Sequence, residues 1–170
     1  MTVSENDPVT TAVVQITRSH PAFGQVAALF DDYRVHYGRP SSPRVTRDWL
    51  YGQMAQHRLA IVAAVCAGQA CGFITITVMP ASLMLGTAWS IRDLYVAPQR
   101  RGRGIARALL QHVVDDARAA GAYRVSLQTE AVNTPALRLY TAAGFQPVSG
   151  LELLSLTLTP GSHPDSPGTR

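Results

Sequence analysis

Ser90-Ile91-Arg92-Asp93-Leu94-Tyr95-Val96-Ala97-Pro98-Gln99-Arg100-Arg101-Gly102-Arg103-Gly104 runs directly into Ile105-Ala106-Arg107-Ala108-Leu109-Leu110, and this stretch decides how the chain is read. Ser90–Val96 has the Ile, Tyr and Val content of a strand, and a turn rich in glycine and arginine follows it. From Gly104 to Ala120 the pattern is helical, with Ile105, Leu109, Val113 and Ala117 on one side and Asp115, Asp116 and Arg118 toward the other. A strand that hands such a turn to a helix N-terminus makes an anion site, because unpaired N–H groups and the positive end of the helix dipole converge there. Gly102 and Gly104 let the backbone approach a phosphate with no Cβ in the way. The spacing Gln99-x-x-Gly102-x-Gly104 differs from both G-x-G-x-x-G and the P-loop, which argues against a dinucleotide fingerprint or an NTPase. A plain basic surface turn is the bland alternative.

Downstream, Gly121 ends the helix, and Tyr123–Glu130 reads as a second strand. Ser90–Glu130 is then a β-α-β unit whose two strands are parallel and joined by a right-handed crossover. Asn133–Ala143 reads as a short helix with Pro135 in its first turn and Gly144 at its end, and Leu151–Thr159 as a last strand. Upstream, Pro8–Arg18 is a first strand. A helix begins near Ser19 or His20 with Pro21 and carries Val26, Leu29, Phe30 and Tyr33 toward Gly38. A second helix, Thr46–His57, has Trp49, Leu50 and Met54 on one face, and these two helices are expected to form the acceptor side of the site. Arg58–Gly68 and Ala70–Pro80 are apolar strands joined by a tight turn, an antiparallel hairpin buried on both faces; Ala81–Ala88 reads as a connecting loop. The expected fold is α/β (α+β), in the order β-α-α-β-β-β-α-β-α-β. Its sheet is mixed and mainly antiparallel, with a central, splayed parallel pair and helices on both faces.

With 170 residues, of which 46% are hydrophobic and 15% charged, the chain reads as one domain over residues 1–160. The Pro-, Ser- and Gly-rich residues 161–170 are expected to be disordered. No apolar run approaches the roughly 18–20 residues that cross a bilayer, and the N-terminus lacks the layout of a secretory signal. No membrane contact and a cytoplasmic location are therefore expected. Cys66 and Cys71 flank the predicted hairpin turn: free thiols are expected in a reducing compartment, with a cross-strand disulfide as the geometric alternative. Much of the net charge of +4 sits on Arg100, Arg101, Arg103 and Arg107 without interleaved aromatics, which suits a local phosphate ligand rather than nucleic acid. The five histidines show no metal-ligand spacing, so no metal is expected.

Two motifs in the same order carry a family resemblance. Gln99-x-x-Gly102-x-Gly104 after Asp93-Leu94-Tyr95-Val96, followed by Asn133-x-x-Ala136-x-x-Leu139-Tyr140 with Gly144-Phe145, resembles the GNAT superfamily of acetyl-CoA-dependent N-acetyltransferases. The match is close over roughly residues 92–147. The resemblance implies acetyl-CoA as cosubstrate, its pyrophosphate held by backbone amides from Arg101 to Ala106 in a turn that includes Gln99, Arg100, Gly102, Arg103, Gly104 and Ile105. Its pantetheine would lie along the backbone of Leu94, Tyr95 and Val96, in a cleft where the two parallel strands splay. Asn133 and Ala136 would contact the cofactor, and Tyr140 would stand near its sulfur as general acid.

Acyl transfer needs donors aimed at the developing oxyanion and a proton for the departing thiolate. A backbone N–H near Leu94 or Tyr95 fits the first need and Tyr140 the second; a core tyrosine with its hydroxyl at the surface is the alternative for Tyr140. The amine must lose a proton, and Asp93 or Glu130 is the candidate base, unless each is a solvated strand-end charge. Arg92 and Asp93 are expected on opposite faces of the strand, with Asp93 toward the cleft beside Tyr95. The polyamine acetyltransferases that this segment resembles place an acid where Arg92 stands, so a polyamine acceptor is disfavoured and an acceptor with its own carboxylate is admitted. No histidine near Cys66 or Cys71 in sequence would activate a thiol nucleophile, so direct attack by the amine is expected. A primary amine on a small molecule is the leading acceptor. A protein lysine or N-terminus, or a non-catalytic CoA-binding regulatory module, are the alternatives, and the choice between monomer and homodimer is open.

Overall fold

Alternation along Gly72–Thr75 sends Phe73 to one side of a sheet and Ile74 to the other, and these two fully buried residues mark the two cores that the sheet separates. The computed structural model describes residues 11–150, 152–156 and 158. Five strands lie side by side in chain order: β1 (Thr11–Ile16), β2 (Ala60–Cys66), β3 (Gln69–Ala81), β4 (Gly86–Val96) and β5 (Arg124–Leu127). The first four are antiparallel neighbours, while β5 runs parallel to β4, with Ala88–Ile91 against Arg124–Leu127. Helices α1 (Phe23–His36) and α2 (Pro43–Ala55) cover one face; α3 (Ile105–Ala119) and α4 (Thr134–Ala142) cover the other. No helix among the described residues is long and apolar enough to cross a membrane.

Each helix is placed by its apolar stripe. Val26, Ala27 and Phe30 bring α1 onto the sheet, where the Phe30 ring lies 5.2 Å from Phe73 and Tyr33 lies 6.0 Å from it. Leu109, Leu110 and Val113 of α3 are fully buried on the opposite face. Gly121 then ends α3 with φ at 68°, and the Ala122 N–H returns to the Ala117 carbonyl at 2.9 Å, so the helix closes as the glycine predicts.

Several boundaries differ from the sequence reading. α2 begins at Pro43 rather than Thr46, because proline at the first helical position costs no hydrogen bond and its φ is already helical. Ala81–Ala88 is no loose loop: β3 continues to Ala81, a 3-10 turn at Ser82–Met84 with Leu85 at a φ of 50° reverses the chain, and β4 starts at Gly86. The parallel strand is shorter than Tyr123–Glu130 and, among the described residues, lies at the sheet edge rather than its centre. Residues 152–156 and 158, the described part of the expected last strand, carry no strand; β5 offers them only four residues of edge, and Leu153, Leu154, Leu156 and Leu158 stay exposed. Residues 8–10 of the first predicted strand and the 161–170 tail lie outside the described residues. Cys66 and Cys71 are free and buried, and burial raises the Cys71 thiol pKa first, with the neighbouring Cys66 adding to it.

Two local irregularities set up the site. The β3–β4 register shifts so that Thr75 faces Asp93 but Ile76 faces Ile91, leaving Arg92 as a bulge. Simple alternation is therefore broken between Ile91 and Asp93: Ile91 and Leu94 both pack toward α3, while Asp93 falls on the α1 face with Thr75 and Tyr95, as alternation from Tyr95 predicts. Beyond Ile91, β4 has no partner on the β5 side among the described residues, so the two strands part where the resemblance requires a cleft. The second irregularity is a close approach. A Cβ at Gly72 would lie 2.8 Å from the Tyr95 carbonyl oxygen, 3.1 Å from Val96 Cγ2 and 3.3 Å from Ile105 Cγ2.

Gly72→Ala is expected to push β4 and the start of α3 away from β3, at a cost of about 1–3 kcal/mol as for overpacking in a filled core. Thermal unfolding checks this: a drop in Tm of roughly 3–10 °C is expected for a chain of this size. An unchanged Tm would show that the strands absorb a methyl group there.

Candidate active site

The chain leaves β4 through a 3-10 turn at Pro98–Arg100 and enters α3 through Gly102 and Gly104, whose φ angles are 74° and 76°. The Arg100 and Arg101 amides are engaged, donating to Ala97 and Pro98 carbonyls at 2.8 and 3.3 Å. From Gly102 through Arg107 the amides have no backbone acceptor among the described residues, and Ala108 is the first of α3 to bond back, to Gly104 at 3.0 Å. The free amides thus begin one residue later than the Arg101–Ala106 reading. Nothing lies within 4 Å of a Cβ built on either glycine, so the space over the turn is open. Arg100, Arg101, Arg103 and Arg107 make no salt bridge among the described residues, and the first turn of α3 holds no acid. Backbone, dipole and side chains all favour an anion here. Arg101 also braces the turn: its Nε donates to the Val96 carbonyl at 3.0 Å, and its guanidinium carbon sits 5.6 Å from the centre of the Tyr95 ring.

The unpaired edge of β4, with Leu94, Tyr95 and Val96, leads from this turn toward α4. Asn133 caps α4, its Oδ1 accepting the Ala136 N–H at 3.3 Å, so that oxygen serves the helix and the amide NH₂ is left for other partners. Tyr140 is half-buried against the α3-side core with its ring 6.1 Å from Phe145. Burial, and to a lesser degree Tyr37 across the site, raise its pKa, so the phenol holds its proton. Gln99 is exposed on the turn. Glu130 lies past the end of β5, exposed, with no side-chain partner among the described residues.

Asp93 lies deeper. The Thr75 hydroxyl, fully buried, donates to its Oδ2. Tyr33 of α1 stands over it, and the phenol is driven well above its ordinary range, first by burial and then by the Asp93 charge. Tyr33 also lines a cavity of about 450 Å³ between α1 and α2, together with Phe30, Arg34, Tyr37, Arg39 and Trp49. Its α2 wall is held by Asp31, which is 3% exposed and accepts from Thr46 Oγ1 at 2.6 Å, Ser41 Oγ at 2.7 Å, the Ser42 N–H at 3.1 Å and Arg34 Nη1 at 3.0 Å. The structure therefore brings Asp93 and Tyr95 under α1, keeps Tyr140 on the α3 side within electrostatic reach of Tyr33 and Tyr37, and leaves Glu130 aside. Sequence reading missed Tyr33, Thr75, Asp31 and the two cavity arginines. The available signal was Asp31 within the apolar stripe of α1, followed by the Ser41, Ser42 and Thr46 hydroxyls.

The family model described as "Acetyltransferase (GNAT) family" matches residues 25–145. An uncharacterized N-acetyltransferase of Bacillus subtilis (strain 168), YhfO, is 30% identical over 125 residues, which are 74% of this chain and 84% of that one. A streptothricin acetyltransferase of Streptomyces lavendulae is 40% identical over 83 residues, 45% of this chain and 43% of its own length. Among solved structures, the crystal structure of a probable acetyltransferase superposes with a TM-score of 0.81 at 29% identity, covering 88% of this chain and 99% of that one.

The Asp31 arrangement carries a pH dependence. Burial alone would raise the carboxyl, but its four hydrogen-bonding partners outweigh burial and bring the pKa from 3.8 to about 2. A folded-state pKa below the unfolded one stabilises the protein fully above the unfolded value, and that contribution fades as pH falls from about 4 toward 2. At neutral pH it is about 2 kcal/mol, since each tenfold change in proton affinity is worth ~1.4 kcal/mol. Asp31→Asn should be less stable than wild type at pH 7, with the gap closing between about pH 4 and 2 in thermal unfolding. A gap that stays constant with pH would show that Asp31 contributes packing and no charge.

Proposed function

The chain belongs to the GNAT acetyltransferase family, and on that premise we propose that it moves an acetyl group from acetyl-CoA directly to the primary amine of a small molecule. The observation that carries this is the row of unsatisfied amides from Gly102 to Arg107 at the point where the open edge of β4 runs into α3. A pyrophosphate fits that row, and the pantetheine fits the Leu94–Val96 edge, whose strand-type amides are free to bond an extended amide-containing chain. An N–H near Leu94 or Tyr95 is then the donor for the oxyanion.

The reaction asks for two proton movements. As the amine nitrogen bonds to the thioester carbon and the carbon–sulfur bond breaks, Tyr140 supplies a proton to the departing sulfur; its raised pKa keeps that proton available at neutral pH. Asp93, with Thr75 donating to it and Tyr33 above it, draws the protonated amine in and takes up its proton, directly or through water. Glu130 has no comparable setting, which supports Asp93 as the base. A cavity of about 450 Å³ walled by two helices supports a small acceptor over an extended peptide, and a small molecule also stands in the name of the Streptomyces lavendulae relative.

Acetyl-CoA should raise the Tm of the wild-type protein, because a ligand bound only by the native state shifts unfolding by mass action. Gly104→Val, which puts a branched side chain on a backbone at +76°, should abolish that rise even where its own Tm is lowered. An equal rise in both proteins would move the anion site elsewhere. Tyr140→Phe should cut turnover on the order of 10–10⁴-fold with little change in acetyl-CoA affinity, since an acid acts in the transition state. Unaltered single-turnover rates would remove Tyr140 from the chemistry.

A further inference from the structure

The cavity between α1 and α2 is aromatic inside and basic along one side. Phe30, Trp49, Tyr33 and Tyr37 form its walls, with the Phe30 ring 5.9 Å from Trp49 and Tyr33 5.0 Å from Tyr37. Arg34 and Arg39 share the lining. Arg34 is oriented by a single nitrogen: Nη1 donates to Asp31 Oδ1 at 3.0 Å and to Thr46 Oγ1 at 2.9 Å, while Nε and Nη2 have no acceptor among the described residues. A guanidinium fixed at one corner and open along the rest of its planar fork is set to receive a carboxylate. The Arg39 N–H is tied to the Arg34 carbonyl at 3.0 Å, and its side chain makes no ion pair or hydrogen bond among the described residues. Asp31 offsets one of the two guanidinium charges, so the lining keeps a net positive charge; the Asp93 carboxylate, outside that lining, neighbours the Tyr33 phenol.

Aromatic walls alone would also suit a cation. The second charge of a polyamine, however, would meet Arg39 and the open side of Arg34, with no acid among the lining residues to pair it. Arg92, exposed at the bulge beside Asp93, adds a positive charge where a polycation would need a negative one.

We propose that the acceptor is an amine carried on an apolar, aromatic-sized body that also bears a carboxylate. The amine faces Asp93, the body lies against Trp49, Phe30 and Tyr37, and the carboxylate is held by Arg34 and Arg39. The inference rests on the N-acetyltransferase reading above and adds the acceptor's chemical class to it.

The test uses the full chain with saturating acetyl-CoA and two matched pairs of acceptors: benzylamine against 4-(aminomethyl)benzoate, and phenethylamine against phenylalanine, with spermidine as the polycation. In at least one pair the carboxylated member should show kcat/KM higher by about tenfold or more, as for a charge-assisted contact, and should exceed spermidine. Arg39→Gln, at an exposed position, should erase most of that advantage through KM while moving kcat far less, and Arg34→Gln should do the same. Neutral amines or spermidine used as well or better would overturn the inference, as would the absence of turnover for both carboxylated amines while acetyl-CoA still raises the Tm. Absence of any acetyl-CoA effect on Tm would instead remove the reading beneath it.

Discussion

β4 has two neighbours as far as Ile91 and one beyond it, and the site depends on that change. A sheet interior satisfies every strand amide twice over, once on each side, and offers nothing to a ligand. Where β5 stops following β4, the half of the Arg92–Val96 backbone that would have bonded to it becomes free, in a position otherwise enclosed by helices. The Arg92 bulge marks the transition: it puts Ile91 on the α3 face with Leu94, while Asp93 keeps the α1 face it shares with Tyr95. Gly72 completes it by letting β3 lie close enough to Tyr95 and Ile105 to hold the strand and the helix that the turn connects.

Most of this architecture is legible in the residues because its signals are local. The glycines of the turn have φ angles near 75°, the α3 stripe at Ile105, Leu109, Val113 and Ala117 is buried, and Gly121 closes the helix; each follows from the steric rules of single positions. The parallel pairing of β4 with β5 follows from the helix between them. What could not be read depends on register or on partners distant in sequence. Alternation puts Asp93 on the face of Tyr95, as the Thr75–Asp93 and Phe73–Tyr95 pairs bear out, but a bulge, which has no single-residue signature, carries Ile91 to the face of Leu94. The leucines of 151–159 carry a strand pattern, but a strand also needs an edge to join, and β5 offers a short one.

The α1–α2 cavity was legible only in outline. Helical spacing in α1 and α2 puts Phe30, Tyr33 and Trp49 on inward faces, but it does not reveal that Asp31 gathers Ser41, Ser42, Thr46 and Arg34 around one carboxylate. A buried acid survives when its hydrogen bonds replace the water it gave up, and those bonds come from three different segments. The same knot fixes the α1–α2 connection, so one group shapes both the wall of the cavity and the orientation of an arginine within it.

The phenols of Tyr33, Tyr37 and Tyr140, which feel one another electrostatically, have a consequence for when the candidate site is complete as the protein folds. Tyr33 and Tyr37 come from α1, and Tyr140 from α4, near the other end of the described chain. The β2–β3–β4 meander is joined by two tight hairpins and can close early, whereas β5 and α4 are joined to it through the longer α3 crossover. A partly folded or prematurely ended chain can thus own the α1–α2 cavity, and even the Gly102–Gly104 turn, without Tyr140. On the proposed mechanism, turnover is in this sense a late reporter of folding, because Tyr140 arrives with α4.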